Sequence, residues 1–244
     1  MLSIITATAI ESAQLQQQMQ PVSAFNQNSY LGSTPAGRQT RLLHTGIGCT
    51  TTAINLTRYL EHETPQAVLM IGCGGSYPNS GLQIGDLALA TEEIFGDLGV
   101  MTDHQFLPLD QLGIPVEPPP VQRIALKTDL QQAVAGVLQH GTALPQRLRC
   151  GPFITVNTCS GHPHLSQTLE ARTGGICENM EGAAAAQVCA LYQVPFLELR
   201  GISNPTGTRD PDHWDIVRGA EAAQHGLVQI LNNWPLLEKT LCGN

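Results

Sequence analysis

Charge is scarce in this chain. Only 13% of its 244 residues are charged, against roughly 25% in an average soluble domain, and aromatic residues make up only 5%. A disordered or fibrous chain is excluded, because 42% hydrophobic residues over this length can supply a sizeable core. Basic residues are the scarcer kind: twelve Lys and Arg face twenty Asp and Glu, a net charge of −8. That balance repels phosphate backbones and anionic lipid headgroups, so neither nucleic acid nor a membrane is an expected partner. Long apolar runs are missing too. None approaches the roughly 20 residues of a bilayer span, and the opening MLSIITATAIESAQ has no basic flank before its short apolar stretch. The chain reads as cytoplasmic. Its seven cysteines, at 49, 73, 150, 159, 177, 189 and 242, contain no Cys-x-x-Cys pair, which argues against a disulfide framework or a zinc site. The triplet His162-Pro163-His164 lacks a nearby carboxylate or Cys to complete a ligand set and reads as a polar loop. No metal or cofactor is implied.

What is present alternates. Leu2 to Thr8 is a short β-branched and apolar run, followed by helix formers from Glu11 to Met19. Arg41 to Thr45 is a second strand ending in Gly46-Ile47-Gly48, with Thr50 or Thr51 placed to cap a helix toward Leu60. The continuous apolar run Ala67 to Ile71, of the kind buried on both faces, leads into Gly72-Cys73-Gly74-Gly75. Gly85 to Ala90 is a further strand, and the Pro-rich stretch from Leu107 to Pro120 is a connection or lid. A helix near Asp129 to Leu138, a strand at Phe153 to Asn157, a helix from Met180 to Leu191 and a strand at Phe196 to Leu199 follow. Ile216, Ala220, Ala223, Leu227, Ile230 and Leu231 keep helical spacing and predict a long amphipathic C-terminal helix. With no linker-like composition and no internal repeat, residues 1–244 read as one three-layer α/β domain around a mostly parallel or mixed sheet.

In open α/β sheets, ligands settle beyond the carboxyl ends of strands, where glycine loops let backbone N–H groups approach them. Five stretches fall at such ends: Thr8 to Glu11, Gly46 to Gly48, Gly72 to Gly75, Glu178 to Glu181 and Arg200 to Asn204. The second glycine cluster lacks the third glycine of a dinucleotide loop, which argues against NAD. Glu181 enters the first turn of a helix whose next residues are small, where it can serve a site or merely favour the helix dipole. The same two readings are open for Glu11. Arg200 ends an apolar strand, and a guanidinium buried there needs a carboxylate such as Glu181 or Glu198 as partner.

Ala7-x-x-x-Glu11, Gly46-Ile47-Gly48, Gly72-x-Gly74-Gly75, Asn179-Met180-Glu181-Gly182-Ala183 and Arg200-Gly201-Ile202-Ser203-Asn204, in this order, resemble the purine nucleoside phosphorylase and nucleosidase superfamily. Residues 178–184 and 200–204, with Asp210 and Trp214 shortly after, look most like its futalosine hydrolases of menaquinone biosynthesis. The resemblance implies a nucleoside phosphorylase-like α/β/α fold with a central mixed β-sheet and a nucleoside bound at strand ends without a cofactor. It also implies a homo-oligomer, a dimer or larger, because the segment matching Phe95 to Phe106 reaches a neighbouring subunit's site in relatives. By the same resemblance Glu11 activates water, Glu181 takes the ribose hydroxyls with Met180 beside it, Arg200 stands behind Glu181, and Asn204 meets the base. Gly46, Ile47, Gly48, Cys73, Gly74, Gly75, Cys159, Ser160, Asn179 and Ser203 are the further substrate-binding candidates it implies.

The chemistry of N-glycosidic cleavage suits those residue types. Positive charge builds on the sugar and negative charge on the departing base, so carboxylates belong beside the sugar and a donor beside the base. The pattern departs from its adenine-releasing members twice. They carry an aromatic ring over the base where this chain reads Asn157-Thr158-Cys159-Ser160-Gly161, and an acid where it has Asn204. An amide NH₂ offers donors to N7 and O6 of a 6-oxopurine, which points to hypoxanthine. Three rivals remain: another purine nucleosidase of the methylthioadenosine/S-adenosylhomocysteine type, a phosphorylase, and a binding protein without catalysis. Phosphorylases of the superfamily place an arginine where this chain has Met70 and Ile71, and residues 1–37 hold no Lys or Arg for a phosphate. A binding protein would have lost its carboxylates, whereas Glu11 and Glu181 are both present. Arg209, His104 and His213 are candidates for an anionic tail of the substrate.

Overall fold

The computed structural model describes residues 1–24, 27–34, 37–115, 121–140 and 147–241. The three prolines at 118 to 120 lie outside them. Strand β1 (Leu2–Thr6) leads through a 3-10 turn (Ala9–Ser12) and the one-turn α1 (Ala13–Gln16) to β2 (Gln20–Ala24), β3 (Gln27–Ser33), β4 (Gln39–His44) and α2 (Cys49–Leu60). Next come β5 (Val68–Ser76), β6 (Leu87–Phe95), the small hairpin of β7 (Gly99–Met101) and β8 (Phe106–Pro108), β9 (Arg123–Ala125) and α3 (Thr128–His140). The last third holds β10 (Leu148–Thr155), α4 (Pro163–Thr173), β11 (Cys177–Asn179), α5 (Gly182–Leu191), β12 (Phe196–Pro205), α6 (Ile216–Asn232) and α7 (Trp234–Leu237).

Alternation along the apolar strands sets the layers. Ile4, Leu42, Leu69 and Ile71 point into one core with α3, α6 and α7, while Ile5, Leu43, Val68 and Met70 point into the other with α2 and α5. The expected α/β/α sandwich is thus observed. Its sheet is mixed, in the order β11-β10-β6-β12-β5-β1-β4-β3-β2, with β9 on β6. β5 runs parallel to β1 and β12, whereas β12 runs antiparallel to β6. β11 pairs both β10 and β5, so five strands close on one another and leave β1 to β4 as a flange. No helix among the described residues is long and apolar enough to cross a membrane.

Several elements differ from the sequence expectations. The helix expected over Glu11 to Met19 is only a 3-10 turn and one helical turn, because the chain then enters the β2–β3 hairpin. This hairpin forms the sheet's outer edge, where a proline such as Pro21 is tolerated, and a polar edge stretch carries little strand signal. The triplet at 162 to 164 is no loop but a helix start: His162 is the N-cap, accepting from the Leu165 N–H, and Pro163 takes the first helical position. Helix α5 begins at Gly182, two residues later than expected, which makes Glu181 its N-cap residue.

Two glycine-bearing stretches expected to follow strands lie inside them. Gly72 to Gly75 continue β5, and Arg200 to Asn204 continue β12, with a register shift between Ile202 and Asn204 that sets Ser203 in a bulge. Glycine occupies β5 here because other side chains fill the space of its Cβ. A Cβ on Gly72 would lie 2.5 Å from Glu11 Oε1 and 2.7 Å from Arg200 Nη1, and one on Gly74 would lie 2.4 Å from Cys177 Sγ. The absence of a side chain at Gly72 is what lets the Glu11 carboxylate and the Arg200 guanidinium approach across β5.

Candidate active site

Period-2 alternation places Phe196, Glu198 and Arg200 on the face of β12 covered by α5. Arg200 is therefore buried, at 1% exposure, and a buried guanidinium must be matched by acceptors. It is. Nε donates to Glu198 Oε1 at 2.7 Å, Nη2 to Glu181 Oε2 at 3.2 Å and Nη1 to the Cys73 carbonyl at 3.0 Å. Glu11 Oε1 stands 3.9 Å from Nη1. Burial opposes the charge on Arg200, but Glu198, Glu181 and Glu11 outweigh it and hold the group protonated.

The two carboxylates that share Arg200 are fixed by backbone donors from distant segments. Glu11 Oε1 accepts from the Cys73 N–H at 3.0 Å, and its Oε2 accepts from the Thr8 N–H at 2.9 Å. Glu181 Oε1 accepts from the Gly48 N–H at 2.9 Å. Gly48 sits at φ +89°, in the left-handed region that favours glycine, and that turn aims its N–H at Glu181. Asn179 Oδ1 accepts from the N–H groups of Glu181 and Gly182 at 2.9 and 2.7 Å, holding the start of α5.

These groups wall a cavity of about 290 Å³. Of the sequence candidates, Glu11, Ile47, Cys73, Gly74, Gly75, Cys159, Ser160, Asn179, Met180, Glu181, Arg200, Ser203 and Asn204 line it. Gly46 and Gly48 do not; the latter instead orients Glu181. Thr8 and Glu178 from the strand-end stretches, Trp214 from the motif and the tail candidate Arg209 also line it, and Ile216 is a wall residue that no motif pointed to. Glu178 is bound by the Tyr77 hydroxyl at 2.9 Å and the Ser160 N–H at 2.9 Å, and its place beside Met180 in the motif was the available signal. Arg209 lies 4.4 Å over the Trp214 ring. His104 and His213 are absent from these walls.

Asn204 lies beyond the bulge from Arg200 on β12, three residues along the partner strand from Gly72 to Gly75 and so roughly 10 Å away. Its Oδ1 accepts from Ser203 Oγ at 2.7 Å and its Nδ2 donates to the Pro205 carbonyl at 3.0 Å. Only one amide N–H therefore remains for a ligand, where the residue type alone offers two. Among the lining thiols, burial pushes Cys73 up to about 12, and burial with Glu178 raises Cys159. Both stay protonated at neutral pH. The basic groups of the cavity are its carboxylates.

The family model described as the phosphorylase superfamily matches residues 3–232. The chain belongs to that superfamily. It is 32% identical to a futalosine hydrolase of Thermus thermophilus over 189 residues, 78% of this chain and 80% of the relative. It is 30% identical to a 5'-methylthioadenosine/S-adenosylhomocysteine nucleosidase of Tolumonas auensis over 220 residues, 88% of this chain and 90% of the relative. In fold it matches a nucleosidase of that second kind from Neisseria meningitidis, solved with methylthio-immucillin-A, at TM-score 0.81 and 20% identity, over 95% of this chain and 98% of that one.

In this superfamily member Arg200 gathers three buried carboxylates. Arg200→Met should cost about 3–5 kcal/mol of stability in denaturant titration, since Glu198 is left buried without its cation. Adding Glu198→Gln should recover part of that loss. Additive single-mutant effects would show that the two side chains do not interact.

Proposed function

We propose that this superfamily member is a purine nucleosidase that hydrolyses futalosine and releases hypoxanthine, as in menaquinone biosynthesis. The observation that carries the reading is the pairing of Glu11 and Glu181 on one buried guanidinium at one wall of the cavity, with Asn204 further along β12. Glu181 accepts hydrogen bonds from ribose hydroxyls, and its charge favours the oxocarbenium character of the transition state. Glu11 takes a proton from the attacking water, a role worth about 10² to 10⁴ in rate. Asn204 donates its remaining N–H to the base as negative charge develops there. Similarity to the futalosine hydrolases supports this substrate, and similarity to the methylthioadenosine/S-adenosylhomocysteine nucleosidases over a longer stretch favours the second reading, an adenine nucleoside.

Incubation with futalosine should yield free hypoxanthine at the same rate with and without phosphate. A ribose 1-phosphate-type product would replace hydrolysis with phosphorolysis, and methylthioadenosine as the better substrate would move the assignment to the second reading. Glu11→Gln should keep nucleoside binding and lose turnover by about two orders of magnitude or more. Near-normal turnover removes Glu11 from the mechanism.

Base choice has its own test. Asn204→Asp should lower kcat/KM for futalosine at neutral pH at least tenfold, roughly 1.4 kcal/mol, because a carboxylate then faces base acceptors. Activity on a 6-amino analogue should fall less or rise. The variant also loses the local bond to Pro205, but that damage lowers both substrates alike, so an unchanged ratio of the two kcat/KM values argues against base reading by Asn204.

We also infer a homo-oligomer. Leu191, 75% exposed, lines an apolar groove with Cys49, Ala53, Ala184 and Val188 on α2 and α5. Sedimentation should give a dimer or larger, and a monomer at micromolar concentration would contradict it.

A further inference from the structure

Two buried carboxyl groups stand behind the cavity, and the steps above use neither. Glu93 on β6 and Glu198 on β12 are both fully buried. They converge on Gly182, where a Cβ would lie 2.2 Å from Glu198 Oε2 and 2.6 Å from Glu93 Oε2. Only the missing side chain of Gly182 makes room for both. Glu198 Oε1 accepts from Arg200, and Glu93 Oε2 lies 3.5 Å from Thr155 Oγ1. Glu198 Oε2 and Glu93 Oε1 are buried without a hydrogen-bond partner among the described residues.

Two ionised carboxylates that are both fully buried and crowd the same Cβ position of Gly182 repel each other and leave orphaned acceptors, both costly. A single proton removes both costs. The charged and titratable groups facing the pair are Arg200 on β12, Glu181 at the head of α5, Glu11 beyond Arg200 and Cys177 on β11. Arg200 is the cation of this set and is already divided among three carboxylates. Burial raises the Cys177 thiol well above its usual range, so it adds no charge.

We propose that Glu93 and Glu198 share one proton, held by Glu93 and donated to Glu198, and that this singly charged pair neutralises Arg200 from behind, so that less of its field falls on Glu11 and Glu181. Burial and the neighbouring Glu198 raise Glu93 in the same direction, well above the usual carboxyl range. Without an anion behind it, Arg200 would spend its whole field on Glu11 and Glu181 and lower their proton affinity, as a cation within about 4–6 Å does. With Glu198 ionised, the guanidinium still orients both carboxylates while their negative charge faces the sugar. Glu93 and Glu198 are thus positioning residues, and only this effect on Glu11 and Glu181 rests on the hydrolase reading.

Glu93→Gln keeps the donor to Glu198 and cannot ionise. Infrared spectra near pH 7 should show the carbonyl stretch of a buried protonated carboxyl in the wild type and not in Glu93→Gln. Because the folded-state pKa of Glu93 lies above its unfolded value of about 4.3, the folded chain binds more protons than the unfolded one between the two, and wild-type stability falls as pH rises through that window. The Tm of Glu93→Gln relative to wild type should therefore increase from about pH 5 to about pH 8. In turnover, Glu198→Gln should move the acid limb of kcat/KM to lower pH by about one pH unit, while Glu93→Gln leaves the limb in place. A merely structural Glu198 would lower Tm with no movement of the limb. If Glu198→Gln does not fold, Glu198→Asp, which draws the anion back from Arg200 by one methylene, should move the limb in the same direction by less. A wild type without the band, a band that survives Glu93→Gln, or an unmoved limb in a folded Glu198 variant overturns the proposal. The infrared and Tm arms need no substrate. Absence of wild-type turnover would overturn the hydrolase reading, and those two arms would still decide the shared proton.

Discussion

The guanidinium of Arg200 cannot leave the interior, because β12 buries it against α5, and it cannot stay there without acceptors. That requirement draws four separate parts of the chain to one point. The turn after β1 brings Glu11, β5 brings the Cys73 carbonyl, the head of α5 brings Glu181, and β12 brings Glu198. Each of the two cavity carboxylates is also held by a backbone N–H from another element, Cys73 for Glu11 and Gly48 for Glu181. Removing the cation would therefore disturb the packing of the sheet's centre as well as the cavity. Gly72 and Gly182 belong to the same constraint, since any larger residue would occupy the space that Glu11, Arg200, Glu93 and Glu198 use.

A chain so poor in charge nevertheless buries several of its acids at one place. Glu11, Glu178, Glu181 and Glu198 are each at most 6% exposed, within reach of a single cavity or the guanidinium behind it. Stability alone would not select this arrangement, because well-packed apolar residues of similar volume do as well or better. Its gain lies in preorganisation. Carboxylates fixed by N–H donors in a dry site need not reorient when positive charge develops beside them, which is where such groups act most strongly.

The layers were legible in the sequence because strands buried on both faces have an unambiguous pattern, as Ala67 to Ile71 shows, and because α6 keeps a regular apolar stripe. The edge hairpin β2–β3 and the three-residue β11 were not, since edge and very short strands carry almost no periodic signal. Strand ends were misjudged for a different reason. Gly72 to Gly75 look like a turn by composition, yet they continue β5, because the glycines answer to side chains arriving from Glu11, Arg200 and Cys177 rather than to backbone bending. Such a demand comes from partners 61 to 128 residues away and leaves no local trace. The site residues were named from motifs, and the structure brings most of them to one cavity. Glu93 was invisible at that level: on β6 it reads as one more polar residue, and only the closed sheet sets it against Glu198.

The same electrostatics bear on the choice between water and phosphate as nucleophile. Among the described residues lining the cavity, the cations are Arg200 and Arg209. Every nitrogen of Arg200 already faces a protein acceptor or the Met70 sulfur, and Glu11 and Glu181 stand between it and the open space. Arg209 is stacked on Trp214. A phosphate dianion entering the cavity would meet Glu11, Glu178 and Glu181 in its walls, and Arg200 has no free donor left to hold it. Water meets no such barrier. On the proposed reading water donates to Glu11 and presents a lone pair to the sugar, and the carboxylates that favour a cationic transition state also disfavour the anionic competitor.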